Sequence, residues 1–237
     1  MQAIVLAGGK GKRLRPYTTV FPKPLIPIGD YPILEIIVQQ LKYYGFNNIN
    51  LAVGHMKEII QAFFGNGKKW GVTISYSSEN KPLGTAAPIK LIKDLDDNFL
   101  VMNGDILTDF DFIKFLKFHK TNNSLCTIAM FSKPVKVDLG VLKVDGENNL
   151  LDYIEKPTLN YQVSMGIYAF NKMVLDYIPK DKYFDFPDLI KILLANNESV
   201  IGYPYDGYWL DIGRPEDYDK AIKEFGKDIT HFLKNNK

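Results

Sequence analysis

Cysteine, histidine and arginine are all scarce in this chain of 237 residues, and each scarcity excludes something. The single Cys126 permits no internal disulfide, and it lies in the apolar run Ser124–Phe131, where a small buried thiol packs as an inert hydrophobe. His55, His119 and His231 share no metal-ligand spacing and read as incidental. Charge of one sign is also missing. A formal net charge of +2 with 24% charged residues leaves no broad footprint for DNA or RNA, so no nucleic-acid partner is expected. Long apolar runs are absent too: Met1-Gln2 carries no basic start, and the run from Ala3 ends within five residues. Neither a signal peptide nor a membrane span is expected, and the expected location is cytoplasmic, with no membrane partner. No repeat, low-complexity tract or linker interrupts the chain, which suggests one domain over 1–237 with room for a sizeable core.

What is present is concentrated at the start. Only Arg13, Arg15 and Arg214 occur, and two of the three sit in one loop. That loop follows Ala3-Ile-Val-Leu-Ala7, a continuous apolar run of the kind a fully buried strand shows. Gly8, Gly9 and Gly11 come next, and glycine lets main-chain N–H groups approach a ligand with no Cβ in the way. Lys23, between Pro22 and Pro24, adds fixed charge. A cation about 4 Å from a phosphate oxygen contributes roughly 4 kcal/mol at an effective dielectric near 20. The Walker pattern fails because Leu6 and Arg13 stand where it needs glycine and Ser or Thr. The dinucleotide fingerprint fails at Leu14. Alone, a Gly-Gly-x-Gly stretch is as readily a simple turn.

Strand and helix patterns alternate through the first half, which argues for βαβ units and a largely parallel sheet. Helical stripes cover 33–44 and 56–64, ended by Gly45 and Gly65, with strands at 49–53 and 72–76. Thr85 is placed to cap a helix carrying Pro88 in its first turn. A buried strand at 99–102 runs into Asn103-Gly104-Asp105. That tripeptide is a good turn, but an aspartate at the carboxyl end of such a strand points into the ligand crevice of a doubly wound sheet. Beside a phosphate loop its oxygens suit Mg²⁺. A helix is expected at 111–120, a strand around Cys126, a hairpin at 139–145 and 150–157, and a strand at 163–170. Glu155-Lys156-Pro157 alone reads as an exposed strand end. Helices at 172–178 and 186–194, a strand at 200–205, Asp211 at a strand end and a helix from Pro215 ended by Gly226 complete the pattern. Glu216 and Asp217 favour that helix start and nothing more.

Gly8-Gly9-x-Gly11-x-Arg13-Leu14-x-Pro16-x-Thr18, then Pro22-Lys23-Pro24-Leu25 and Pro32-x-x-Glu35, resembles the signature of the sugar-phosphate nucleotidyltransferases, the pyrophosphorylases that make nucleotide-sugars. The family's usual threonine before the arginine is Lys12 here. The resemblance implies an α/β fold, a Rossmann-like three-layer sandwich with a mixed, mostly parallel central sheet and a small antiparallel substrate-binding insertion. It divides the chain into a nucleotide-binding part at about 1–135, an acceptor platform at about 136–170 and a closing segment at 171–237. It implies that Leu6, Ala7, Gly8, Gly9 and Gly11 wrap a nucleoside triphosphate and that Arg13 and Lys23 grip its phosphates. Gly84 and Thr85 would lie against the base. Asp105 and Asp211, the latter in Trp209-x-Asp-x-Gly213, would hold Mg²⁺ from opposite sides of the cleft. Gly140 would leave room for a sugar ring, Glu155 would take its hydroxyls and Lys156 its phosphate.

The implied reaction is nucleotidyl transfer to a sugar 1-phosphate with release of pyrophosphate. Such an acceptor is already nucleophilic at neutral pH, so no activated serine or histidine is needed and none is offered. The segment 79–86 looks most like enzymes that pair GTP with mannose 1-phosphate or a heptose phosphate; uridylyl or cytidylyl transfer to another phosphorylated acceptor is the alternative. More distant readings are a glycosyltransferase, which usually carries Asp-x-Asp where this chain has Asp105 and Asp109, or a non-catalytic nucleotide sensor. No repetitive β-helix tail is visible, so an appended acetyltransferase is not expected, and a homodimer is compatible with the sequence.

Overall fold

The computed structural model describes residues 1–79 and 81–234. Its centre is a seven-stranded sheet. The strands are β1 (Gln2–Ala7), β2 (Asn48–Val53), β3 (Thr73–Ser78), β4 (Asn98–Asn103), β6 (Cys126–Lys136), β9 (Thr158–Asn171) and β10 (Val200–Tyr205). Their spatial order is β10-β6-β9-β4-β1-β2-β3. β1 pairs in parallel with β2 and β4, and β2 with β3. β9 alone runs antiparallel, against both β4 and β6. Outside this sheet β5 (Ile106–Thr108) pairs with β11 (Trp209–Asp211), and β7 (Val141–Val144) forms a hairpin with β8 (Leu150–Ile154). The mixed, mostly parallel sheet and the small antiparallel insertion are as the sequence implies.

Alternation along each strand sends side chains to opposite faces, and each face is covered. Val5, Leu51 and Met102 join one buried cluster with Leu34 and Leu41 of α1 (Ile33–Tyr43), Ile60 of α2 (Lys57–Phe64), Phe115 of α3 (Phe112–Thr121) and Phe225 of α5 (Pro215–Lys227). Ile4, Ala52 and Val101 join the other with Leu189 and Leu193 of α4 (Phe186–Ala195). Asp111 caps α3 by accepting from the N–H groups of Ile113 and Lys114 at 3.1 and 2.9 Å.

Three local expectations are corrected. No α-helix starts at Pro88: residues Ala87–Leu91 form a 3₁₀ segment, and the Thr85 hydroxyl instead accepts the Phe186 N–H at the start of α4, at 3.0 Å. The stretch at 172–177 is also 3₁₀, and α5 passes through Gly226 to end at Lys227. Cys126 and His119 are both fully buried. His119 bonds to Thr127 and Asn98, and burial followed by the charge of Lys120 lowers it to about 4, so it is a neutral packing residue.

The ladder between β6 and β9 breaks between Ser164 and Tyr168. Gly166 sits in that break at φ +72°, and a Cβ there would stand 2.5 Å from the Asn103 amide nitrogen, so glycine is required. Beyond the break, residues 132–136 and 158–162 continue as a two-stranded ribbon that leads into the β7–β8 hairpin.

Candidate active site

The site grows from the carboxyl ends of β1, β2 and β4. At Gly8 and Gly54 two backbones pass so closely that a Cβ on Gly8 would lie 3.2 Å from the Gly54 nitrogen. Gly11 is left-handed at φ +59°, and a Cβ there would strike the Thr18 methyl at 2.7 Å. The Thr18 hydroxyl donates to the Gly11 carbonyl at 2.9 Å, which pins the loop. Gly9 differs: nothing lies within 4 Å of its Cβ position, so the fold itself does not demand glycine there. The next turn buries Leu14 and leaves Arg13 and Arg15 exposed.

Asp105 follows β4, where the Gly104 N–H donates to the Leu6 carbonyl at 2.9 Å. Its Oδ2 takes an ion pair from Lys23, itself only 9% exposed, while its buried Oδ1 has no partner. A buried carboxylate oxygen without a donor is costly. The β5–β11 ladder sets Asp211 opposite Ile106, and the Ile212 N–H donates to the Asp105 carbonyl at 2.9 Å. The two acids are thereby held as neighbours. Burial first, and then the negative charge of Asp105, raise the Asp211 carboxyl above its usual range, against the pull of Lys23 and Arg13. The Arg13 guanidinium lies against Gly213, where a Cβ would sit 3.3 Å from Nη2. Arg13, Lys23, Asp105 and Asp211 are therefore brought together.

No third carboxylate, histidine or cysteine joins the pair among the described residues. Two carboxylates with one bare oxygen fit a hard divalent cation that completes its shell with water and substrate phosphate.

Leu6, Ala7, Gly8, Gly9, Lys23, Gly84, Thr85 and Asp105 all line one cleft of about 660 Å³. Gly84 is required by packing: at φ +88° its Cβ would meet the Phe184 carbonyl at 2.6 Å. The Thr85 N–H and hydroxyl both donate to Asp185 Oδ1, at 2.8 and 2.9 Å, so they serve a staple to the segment before α4. Sequence reasoning missed Asp185, Tyr183, His55 and Glu79 as cleft residues. Glu79 accepts the Leu83 N–H through Oε2 at 2.7 Å, and its Oε1 lies 3.4 Å from the Cβ position of Gly54. Glu35 is not in the cleft; its buried carboxylate accepts the Trp70 indole N–H at 2.9 Å.

Gly140, Glu155 and Lys156 lie on the exposed ribbon and hairpin, and none of them lines the cleft. The space above Gly140 holds the Tyr153 ring rather than open room for a sugar, and the Tyr153 hydroxyl donates to Glu155 at 2.8 Å. Glu155 and Lys156 pair with each other at 3.6 Å.

A glycine cradle, two cations and two carboxylates at the carboxyl ends of parallel strands define an α/β protein whose cleft is suited to phosphate groups. A family profile described as nucleotidyl transferase matches residues 2–228, and the chain belongs to that family. It is 35% identical over 94% of its length to a UTP–glucose-1-phosphate uridylyltransferase of Synechocystis sp.. It is also 35% identical over 92% of its length to a mannose-1-phosphate guanyltransferase of Yarrowia lipolytica. The chain spans 63% and 62% of the length of these curated relatives. A crystal structure of a putative glucose-1-phosphate thymidylyltransferase from Bacillus anthracis in complex with a sucrose superposes with a TM-score of 0.77 at 26% identity, covering 98% of each chain.

Two outcomes are expected. Gly9→Ala should leave the melting temperature unchanged, because its Cβ meets nothing, yet weaken triphosphate binding at least about tenfold by titration calorimetry, because the methyl enters the cradle. Asp211→Asn should raise the melting temperature of the metal-free protein at pH 7. A carboxyl whose folded pKa is raised destabilises the fold above that pKa, and the penalty fades as pH falls through it, so the gain should shrink in acid.

Proposed function

We propose that this chain transfers a nucleoside monophosphate from a nucleoside triphosphate to a sugar 1-phosphate, releasing pyrophosphate and making a nucleotide-sugar. The observation that carries this reading is the four-charge cluster of Arg13, Lys23, Asp105 and Asp211 at the rim of a glycine-lined cleft. An acceptor phosphate oxygen attacks the α-phosphorus in line, a P–O bond forms, and the α–β bridge breaks toward pyrophosphate. Repulsion between two anions limits that step, so charge neutralisation and alignment are what the site must supply. Lys23 pairs with Asp105 in the free protein and must release that carboxylate to reach the nucleotide phosphates. Arg13, held against Gly213, stabilises the departing pyrophosphate. Gly84 offers main chain to the base; Glu155 and Lys156 receive the sugar and its phosphate once their mutual pair opens. Asp105 and Asp211 would hold Mg²⁺, which would supply positive charge to offset that of the phosphates. A cytoplasmic location fits this reading, because charged triphosphates and sugar phosphates are retained where they are made.

The glycosyltransferase reading loses its motif. Asp109 accepts from the Tyr208 N–H at 2.9 Å and pairs with His231 at 2.6 Å, away from the cleft.

For the base we favour guanine, with mannose 1-phosphate or a heptose 1-phosphate as acceptor. Glu79 supports this: one carboxylate oxygen is pinned by Leu83, and the other has no hydrogen-bond partner among the described residues. Guanine offers N1–H and N2–H₂ side by side to an acceptor-only group, whereas uracil and thymine offer one N–H between two carbonyls. The Yarrowia relative's name agrees, and the Synechocystis relative's name makes UTP with glucose 1-phosphate the alternative.

The test is pyrophosphate release with Mg²⁺, crossing five nucleoside triphosphates with mannose, glucose and heptose 1-phosphates. Acceptor-dependent release is expected, and silence for every pair would count against transfer. In the productive pair Arg13→Ala should cut kcat by about 10²–10³ while the circular dichroism spectrum stays unchanged. Glu79→Gln should lower kcat/KM for GTP and raise it for UTP; an unchanged ratio would remove Glu79 from base selection.

A further inference from the structure

We propose that the ring of Tyr183 is the face on which the nucleobase stacks, an inference that rests on the nucleotide reading above and adds a binding residue to it. Of the large hydrophobic side chains exposed among the described residues, Tyr183 alone lines the cleft, and it is 63% exposed. Its place is fixed by backbone and by side chain. The Phe184 N–H donates to the Leu83 carbonyl at 2.8 Å, and the Phe184 carbonyl accepts from the N–H groups of Ala86 and Ala87 at 3.0 and 3.2 Å. The Tyr183 hydroxyl donates to Asp185 Oδ2 at 2.6 Å, while Oδ1 of the same carboxylate takes the Thr85 N–H and hydroxyl. The ring is therefore tethered at its tip and at the adjoining backbone to residues 83–87, the stretch assigned to the base. It is anchored, yet its apolar surface is left open.

Glu79 stands near the same ring. The hydrogen bond to Asp185 and then the Asp185 charge raise the Tyr183 hydroxyl above its usual range, and the charges of Asp188 and Glu79 add smaller pushes in the same direction. Both Glu79 and Tyr183 line the cleft. The contacts then divide the work on one base. Glu79 and the main chain at Gly84 act on the edge of the base, in its plane, and leave its faces to water. Tyr183 supplies a flat, polarisable surface of matching shape for one of those faces. Stacking accepts any base, because every base has a π-face, so Tyr183 governs affinity while Glu79 governs choice. The tether contributes too: a ring already held by Asp185 loses little freedom when a base arrives. The rival account is that Tyr183 serves only to hold Asp185. That account places its whole contribution in the hydroxyl, whereas stacking places it in the ring, so two substitutions separate them.

The experiment is titration calorimetry of the full chain, with Mg²⁺, against GTP, UTP and inorganic tripolyphosphate. Tyr183→Ala should weaken both nucleotides at least about fivefold and leave tripolyphosphate, which has no base, within about twofold of the parent. Tyr183→Phe removes the bond to Asp185 and keeps the ring, so it should stay within about threefold of the parent for all three ligands. In turnover, Tyr183→Ala should raise KM for the triphosphate while kcat holds, the pattern of binding shared by ground and transition states. Three results would each overturn the inference and leave the proposed function standing: unchanged nucleotide affinity in Tyr183→Ala, an equal loss for tripolyphosphate, or a Tyr183→Phe variant as weak as Tyr183→Ala. A parent chain that binds none of the three ligands removes both.

Discussion

The Asp105 carboxylate is the constraint around which the rest of the site is arranged. It is placed at the end of a parallel strand, walled in by Gly104 against Leu6, and given one cation and one bare oxygen. A lone buried carboxylate of this kind is expensive, and the Lys23 ammonium offsets much of the cost. Pro22 and Pro24 flank that lysine in a tight 3₁₀ turn, so its approach is fixed by backbone as well as by charge. Asp211 then arrives from the far end of the sequence, through a three-residue ladder, and deepens the negative field. The described residues thus hold two neighbouring carboxylates with one bare oxygen, an arrangement that favours a cation.

The wall of the cleft shows the same economy of parts. Residues 83–87 carry no regular helix, and their shape comes from partners a hundred residues away: Phe184 accepts from the N–H groups of Ala86 and Ala87, and Asp185 accepts from Thr85. Tyr183 donates to the same Asp185 at 2.6 Å. Burial acts to raise Asp185, but these hydrogen bonds outweigh it and hold the carboxyl low. One aspartate therefore fixes both the wall of the cleft and the entry to α4.

Much of the fold was legible because its signals are local. The stripe read at 33–44 is a helix at 33–43, and the strand read at 200–205 is one, since periodicity and burial coincide there. Asp105 and Asp211 were both legible at strand ends. Asp185 was not, because its partner Thr85 lies a hundred residues away, and Glu79 was not, because its place in the cleft comes from its approach to Gly54 at the end of β2. The length of β6 and β9 was underestimated because their outer halves have no buried face and pair only with each other, so nothing imposes a rhythm on the sequence. The ring of Tyr153 over Gly140 is a contact between two strands of a hairpin, and the sequence marks only that a glycine stands there.

β9 is a single strand of fourteen residues with two environments. Its inner half is clamped between β4 and β6, and its outer half carries the ribbon into solvent. The transition falls at Met165 and Gly166, and the Met165 carbonyl accepts the Trp209 indole N–H at 2.9 Å, two residues before Asp211. In mechanical terms the strand is a beam whose fulcrum is bonded to the strand that ends in Asp211. The ladder to β6 is interrupted at this same fulcrum, so the backbone joining the clamped arm to the outer arm is bonded to the segment that carries Asp211 rather than to β6.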